Sequence, residues 1–155
     1  MEERPLSELR RRAAELGLPV EACIIEATAE GKSSSELAES LLKGASILLA
    51  RSKDELSAGS YLKAAEYAWG AAYLLLRLEA ARLGFAPRGP CDVWILARHV
   101  ATHSGEAALR AYKLARRALE SRESGGDRLA AEAIRAVEEF MAAFLEAPKA
   151  SDGRA

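Results

Sequence analysis

The chain of 155 residues contains no asparagine and no glutamine. Proteins that read adenine in the major groove of DNA normally use one of these two side-chain amides, so their absence argues against such recognition. Arginine outnumbers lysine by 16 to 6. Loss of heat-labile amides is typical of thermophilic proteins, and we expect a thermophilic source, although a GC-rich genome also favours arginine.

Cysteine and long apolar runs are scarce as well. Cys23 and Cys91 stand far apart, in a spacing that matches neither a disulfide framework nor a zinc knuckle. No basic segment precedes an apolar one at the start, and the uncharged run from Tyr67 to Leu76 is too short to cross a bilayer. We therefore expect a cytoplasmic protein that does not act at a membrane and carries no cofactor or metal.

The net charge of −1 gives the chain no overall attraction for nucleic acid. Local basic clusters do exist, at Arg10-Arg11-Arg12, at Arg116-Arg117 and at Arg82 with Arg88. Such clusters are typical of solvated helix faces, so they are weak evidence for phosphate binding. The first of them belongs to a segment with the cadence of a helix-turn-helix, but its second helix, "VEACIIEATAE", is acidic and a poor recognition face.

Helical periodicity dominates, because prolines and glycines fall mostly between segments with an apolar stripe. Helices are predicted over residues 7–16, 19–30, 34–56, 60–83, 91–103, from about 105 to 121, and over 128–145. The predicted fold class is all-α, an antiparallel bundle of four or more long helices with a short N-terminal helical pair. One domain covers 1–148, divided into a hairpin over 1–31 and a bundle core over 34–147, and residues 149–155 form a disordered tail.

The segment "YLKAAEYAWGAAYLLLRLEAARLG" predicts the central helix. Its polar residues Lys63, Glu66 and Arg77 form one narrow strip, and nearly all its other positions are apolar. A helix that is apolar most of the way round is buried on several sides. Its apolar circumference exceeds what one bundle needs, so we expect a homodimer.

Two segments, "ELRRRAAELGLPVEACIIEATAEG" and "GSYLKAAEYAWGAA", resemble the archaeal PaREP family of small helical proteins. The second matches a signature of the form G-D-Y-x-x-A-x-E-x-A-W-G-A-A, with Ser60 in place of aspartate. The similarity covers residues 7–84 well and the remainder only by helix order. It implies membership of the higher-eukaryote-and-prokaryote nucleotide-binding (HEPN) superfamily, an antiparallel bundle and frequent pairing into dimers.

Members of that superfamily that cut RNA carry arginine, four to six residues, and then histidine. The stretch "RHVATH" fits, with Arg98, His103 and, in the polar slot, His99. Imidazole can act as acid or base near neutral pH, and guanidinium can stabilise a phosphorane. Arg98 and His103 lie about 140° apart on an ideal helix, so one helix does not aim both at one atom. The resemblance implies a dimer that sets two such motifs face to face. PaREP proteins place a histidine-and-aromatic segment before the final helix, where this chain has only "RRALESRES".

Two other interpretations of these histidines stay open: a solvated polar face, and a metal held between two helical turns without an evident third ligand. The sequence therefore favours a non-catalytic module that binds RNA, a nucleotide or a protein. The alternative is a metal-independent ribonuclease that uses Arg98, His103 and His99, with a cognate protein in a toxin–antitoxin or defence system.

Overall fold

A computed structural model of the protein describes residues 6–121 and 126–152. These residues form an all-α helical bundle without strands, as the periodicity predicted. The seven helices in this part of the chain are α1 Leu6–Leu16, α2 Val20–Ala29, α3 Ser34–Ser57, α4 Tyr61–Arg82, α5 Pro90–Ser104, α6 Ala107–Glu120 and α7 Gly126–Asp152. Residues 149–152 of the predicted tail continue α7, and the rest of that tail lies outside the described residues.

The helix ends follow from local chemistry. Ser33 caps α3 with a reciprocal pair of bonds: its hydroxyl accepts from the Glu36 amide at 3.3 Å, and the Glu36 carboxylate accepts from the Ser33 amide at 3.4 Å. Gly17 closes the turn after α1 at a φ of 70°, a conformation that favours glycine. The short turn lets α1 and α2 pack together as the predicted N-terminal pair.

Helix α4 is the centre of the bundle and packs against α2, α3, α5, α6 and α7. Of its 22 residues, 14 are buried within the single chain, and Trp69 is 2% exposed. The apolar circumference that suggested a homodimer is therefore covered by the chain's own helices. The argument for a dimer from α4 does not hold, and the homodimer stays a prediction.

Gly70 sets how closely α4 approaches the start of α2. A Cβ at this position would lie 2.9 Å from Cγ of Pro19 and 3.1 Å from Cδ1 of Leu48. Because the proline ring is rigid, the backbone would have to shift. We expect Gly70→Ala to lower the free energy of unfolding by ~0.5–2 kcal/mol, although alanine is otherwise the better helix former by ~1 kcal/mol.

Chemical denaturation measures this change, with Gly126→Ala as the control. A Cβ at Gly126 meets only Cβ of Tyr61, at an ordinary 3.8 Å. The control should therefore be neutral or slightly stabilising. A Gly70→Ala protein as stable as the control would show that α2 and α4 are not in close contact here.

No helix in the described part of the chain combines the length and the apolar character that a membrane span requires.

Candidate functional site

Helix α5 presents two faces, as its sequence predicted. Val93, Leu96, Ala97 and Val100 are buried against the bundle. Arg98, His99, Thr102 and His103 are exposed on the other side. The predicted catalytic residues thus share a solvent-facing surface and not a cleft.

The side chains of "RHVATH" form two separate pairs along α5. The guanidinium carbon of Arg98 lies 5.7 Å from the ring centroid of Trp94, one turn earlier. His103 donates from Nδ1 to the backbone oxygen of His99 at 3.0 Å, and the two imidazole rings are 4.3 Å apart between centroids. Arg98 therefore contacts an aromatic ring, and the histidines contact each other. Within one chain, Arg98 and His103 thus contact different residues of α5.

An aromatic path joins α5 to α6 and the core. Trp94 lies 5.4 Å from the ring centroid of Tyr112, and Tyr112 lies 5.4 Å from that of Trp69 in a T-shaped contact. Arg116 places its guanidinium carbon 5.4 Å from the Trp69 ring centroid. Trp94 and Tyr112 are only half-buried. Guanidinium groups thus lie at both ends of an aromatic cluster that reaches the surface.

Helix α6 adds a basic groove beside this cluster. The groove encloses about 630 Å³ and is open to solvent, and its lining includes Tyr112, Lys113, Arg116 and Arg117. Arg116 also bonds Glu120 across one turn at 3.3 Å. Within the described residues, Arg98, Lys113 and Arg117 form no ion pair. All three side chains are exposed.

Positive charge is concentrated in the α5–α6 hairpin. Residues 90–120, which span both helices, contain five arginines or lysines and three acidic residues, whereas the whole chain has a net charge of −1. We define the α5–α6 surface as Trp94, Arg98, Tyr112, Lys113, Arg116 and Arg117. The sequence pointed to Arg98 and to Arg116-Arg117 separately. It did not show that Trp94 and Tyr112 connect them.

A second polar cluster is buried between α1, α2 and α4. The Glu26 carboxylate, 5% exposed as a residue, accepts from Arg12 Nε at 3.1 Å, from Arg77 Nε at 3.0 Å and from the Tyr73 hydroxyl at 2.7 Å. Arg12 also donates to the Tyr73 oxygen at 2.8 Å and to the backbone oxygen of Pro87 at 3.0 Å. This Glu26 cluster ties the N-terminal pair to α4 and to the loop before α5.

The pKa shifts of Tyr73 and Arg12 favour the protonation states in which these two side chains make their hydrogen bonds. Burial raises the pKa of Tyr73 well above its ordinary value, and the charge of Glu26 and the bond to it act in the same direction. Burial alone would lower the pKa of Arg12, but its bonds and charge interactions with Glu26 and Tyr73 raise it overall. Tyr73 thus stays protonated and Arg12 stays charged. The cluster is therefore a structural anchor between α1, α2 and α4.

A related but more exposed cluster lies between α2, α3 and α4. Glu21 accepts from the Tyr67 hydroxyl at 2.7 Å and from Arg51 at 2.9 Å. Burial alone would raise the pKa of Glu21, but the bond from Tyr67, with help from the backbone and from Arg51, lowers it overall. About a third of the Glu21 side chain is accessible. Water therefore weakens the ion pair.

The predicted basic clusters separate in the structure. Arg10 and Arg11 are exposed, but Arg12 points into the Glu26 cluster. Arg82 bonds Glu79 on its own helix at 3.3 Å, and Arg88 is exposed. Neither Glu26 nor Arg12 was singled out from the sequence.

The chain matches no known family model, no curated protein and no solved structure. The resemblance to the PaREP family and the HEPN superfamily therefore stays a prediction, and the function must be argued from the site.

Proposed function

We propose that this protein binds single-stranded RNA through the α5–α6 surface, without cleaving it. The observation that carries the proposal is the combination of half-buried aromatic rings with exposed cations on one hairpin: Trp94 and Tyr112 beside Arg98, Lys113 and Arg117. Proteins that hold single strands combine these two elements. Bases stack on aromatic side chains, and a positively charged groove follows the phosphates.

Such binding should depend little on base sequence. The chain has no asparagine or glutamine for bidentate contacts to bases, and stacking on an aromatic ring is available to every base. Arginine can add a bidentate contact to a phosphate. We therefore expect preference for unpaired RNA over duplex, and weak discrimination between base compositions.

The ribonuclease alternative requires Arg98 and His103 to act on the same phosphate. Arg98 and His103 contact different partners in one chain, so a cleaving centre would need a second copy to bring the two groups together. Metal-independent cleavage of the probe RNA, lost in both Arg98→Ala and His103→Ala, would identify the protein as that enzyme. Intact RNA after prolonged incubation supports binding without catalysis.

The test is fluorescence anisotropy of a labelled single-stranded RNA of 12 uridines, without divalent metal, over a range of NaCl concentrations. Neutralising three to four phosphates should give a log–log slope of about −2 to −3. The affinity should then fall about 20–50-fold between 50 and 200 mM NaCl.

Charge reversal locates the binding. Lys113→Glu and Arg117→Glu should each weaken binding by about tenfold and reduce the salt slope by about 0.7. Lys43→Glu makes the same charge change at an exposed position of α3 and should bind like the wild type. An equal loss of RNA affinity in all three variants would show that net charge, and not the position of the charge, determines binding. The absence of RNA binding at 50 mM NaCl would overturn the proposal.

A further inference from the structure

We propose that His99 and His103 form a two-histidine chelate for a divalent transition metal, with Cu²⁺ and Ni²⁺ bound most tightly. Both imidazoles are exposed, both lie on one face of α5, and their centroids are 4.3 Å apart. Histidines four residues apart on a helix can ligate one ion from adjacent turns. This inference does not rest on RNA binding.

The ring separation is short enough for both imidazoles to reach one ion. Two imidazoles bound to one ion at ~2.0–2.1 Å would have centroids about 4.5–5 Å apart. The observed 4.3 Å is close to this range, so only small side-chain rotations are needed. Imidazole nitrogens are common ligands in the square-planar and tetragonal sites of Cu²⁺ and Ni²⁺.

The backbone also prepares His103 for a metal. A carbonyl oxygen can only accept, so the 3.0 Å contact with the His99 oxygen places the imidazole proton on Nδ1 of His103. In the neutral imidazole with this tautomer, Nε2 carries the free electron pair that can bind a metal. Metal-bound histidines usually donate their other ring nitrogen to a carbonyl or carboxylate, which fixes ring orientation and increases ligand basicity. His103 makes such a bond, from Nδ1 to the backbone oxygen of His99 in the same helix.

The remaining coordination positions are left to water. Within the described residues, no group of three or more histidine, cysteine or acidic side chains could hold a metal ion. Imidazole ligands favour copper, nickel and zinc over magnesium and calcium. For a nitrogen site of this kind, affinity should follow Zn²⁺ and Ni²⁺ below Cu²⁺.

The test uses calorimetric titration of the full chain with Cu²⁺ and with Ni²⁺, together with electron paramagnetic resonance of the Cu²⁺ complex. All proteins carry Cys91→Ser, because the thiol of Cys91 is exposed and could bind copper itself. We expect one ion per chain and a spectrum that shows two coordinated nitrogens. His99→Ala and His103→Ala should each weaken binding at least tenfold.

A register variant separates the chelate from two independent histidines. Ala101→His combined with His103→Ala keeps two histidines on α5 but places them two residues apart, on different faces. It should bind as weakly as the single variants, and circular dichroism confirms that it is folded. Equal affinity in wild type and register variant, or only one coordinated nitrogen in the wild type, would overturn the chelate. RNA binding by these variants is measured separately. Absence of metal binding would therefore not affect the proposal that RNA binds at the α5–α6 surface.

Discussion

Replacing Glu26 with glutamine is expected to lower the free energy of unfolding by about 3–5 kcal/mol, because it removes a buried carboxylate that pairs with two largely buried guanidiniums. Arg12 and Arg77 have side chains 21% and 11% exposed, and each bonds Glu26 at about 3 Å. Glutamine has nearly the same volume, so packing changes little. The amide supplies no negative charge, and its NH₂ group would face the arginine donors. Urea denaturation at neutral pH measures the loss.

The matched control is Glu21→Gln, which makes the same change on the same helix. Glu21 also bonds an arginine and a tyrosine, but about a third of its side chain is accessible, so water screens the pair. The Glu21→Gln substitution should lower the free energy of unfolding by about 1 kcal/mol or less. Equal costs for the two variants would show that the Glu26 cluster is hydrated and does not anchor the N-terminal pair.

Truncation of Trp69 to alanine should also cost about 3–5 kcal/mol. The ring is 2% exposed, meets Tyr73 and Tyr112 edge-on, and lies under Arg116. Its Nε1–H donates to the backbone oxygen of Leu16 at 2.8 Å. The variant therefore loses apolar burial, leaves a cavity and removes the shorter of two hydrogen bonds to the Leu16 carbonyl, the other coming from Arg116 at 3.4 Å.

Ile95→Ala provides the comparison for Trp69. Ile95 is 59% exposed on α5, so its truncation should change the free energy of unfolding by about 0.5 kcal/mol or less. Analytical ultracentrifugation of the Trp69→Ala protein completes the test. A loss below about 1 kcal/mol accompanied by dissociation of a dimer would place Trp69 at an interface between two copies.

The helices could be predicted from the sequence because their signals are local. Apolar residues most of the way round α4 indicate that this helix is buried. Serines before α3 indicate where that helix begins, and Gly17 indicates where α1 ends. The dimer inferred from α4 shows where such reasoning stops. An apolar helix surface has to be buried. The periodicity of one helix does not show whether it is buried by α3, α6 and α7 or by a second chain.

The sites were harder to predict because they join residues distant in sequence. Arg12 appeared as the last of three equivalent arginines, and only the packing of α1 on α2 and α4 separates it from Arg10 and Arg11. The sequence of α5 placed Arg98 and His103 about 140° apart on an ideal helix and left a solvated polar face as one interpretation. It could not give the ring of Tyr112 from the next helix, which turns an isolated Trp94 into part of a continuous surface.

The most direct measurement of the central claim uses the emission of Trp94. The chain has two tryptophans, so in a Trp69→Phe protein, checked for folding by circular dichroism, only Trp94 reports. Adding the single-stranded RNA of 12 uridines at 50 mM NaCl should quench or shift this emission, with the same midpoint as the anisotropy titration, because bases stack at the α5–α6 surface. RNA that binds while the emission of Trp94 stays unchanged would place the binding elsewhere and contradict the account.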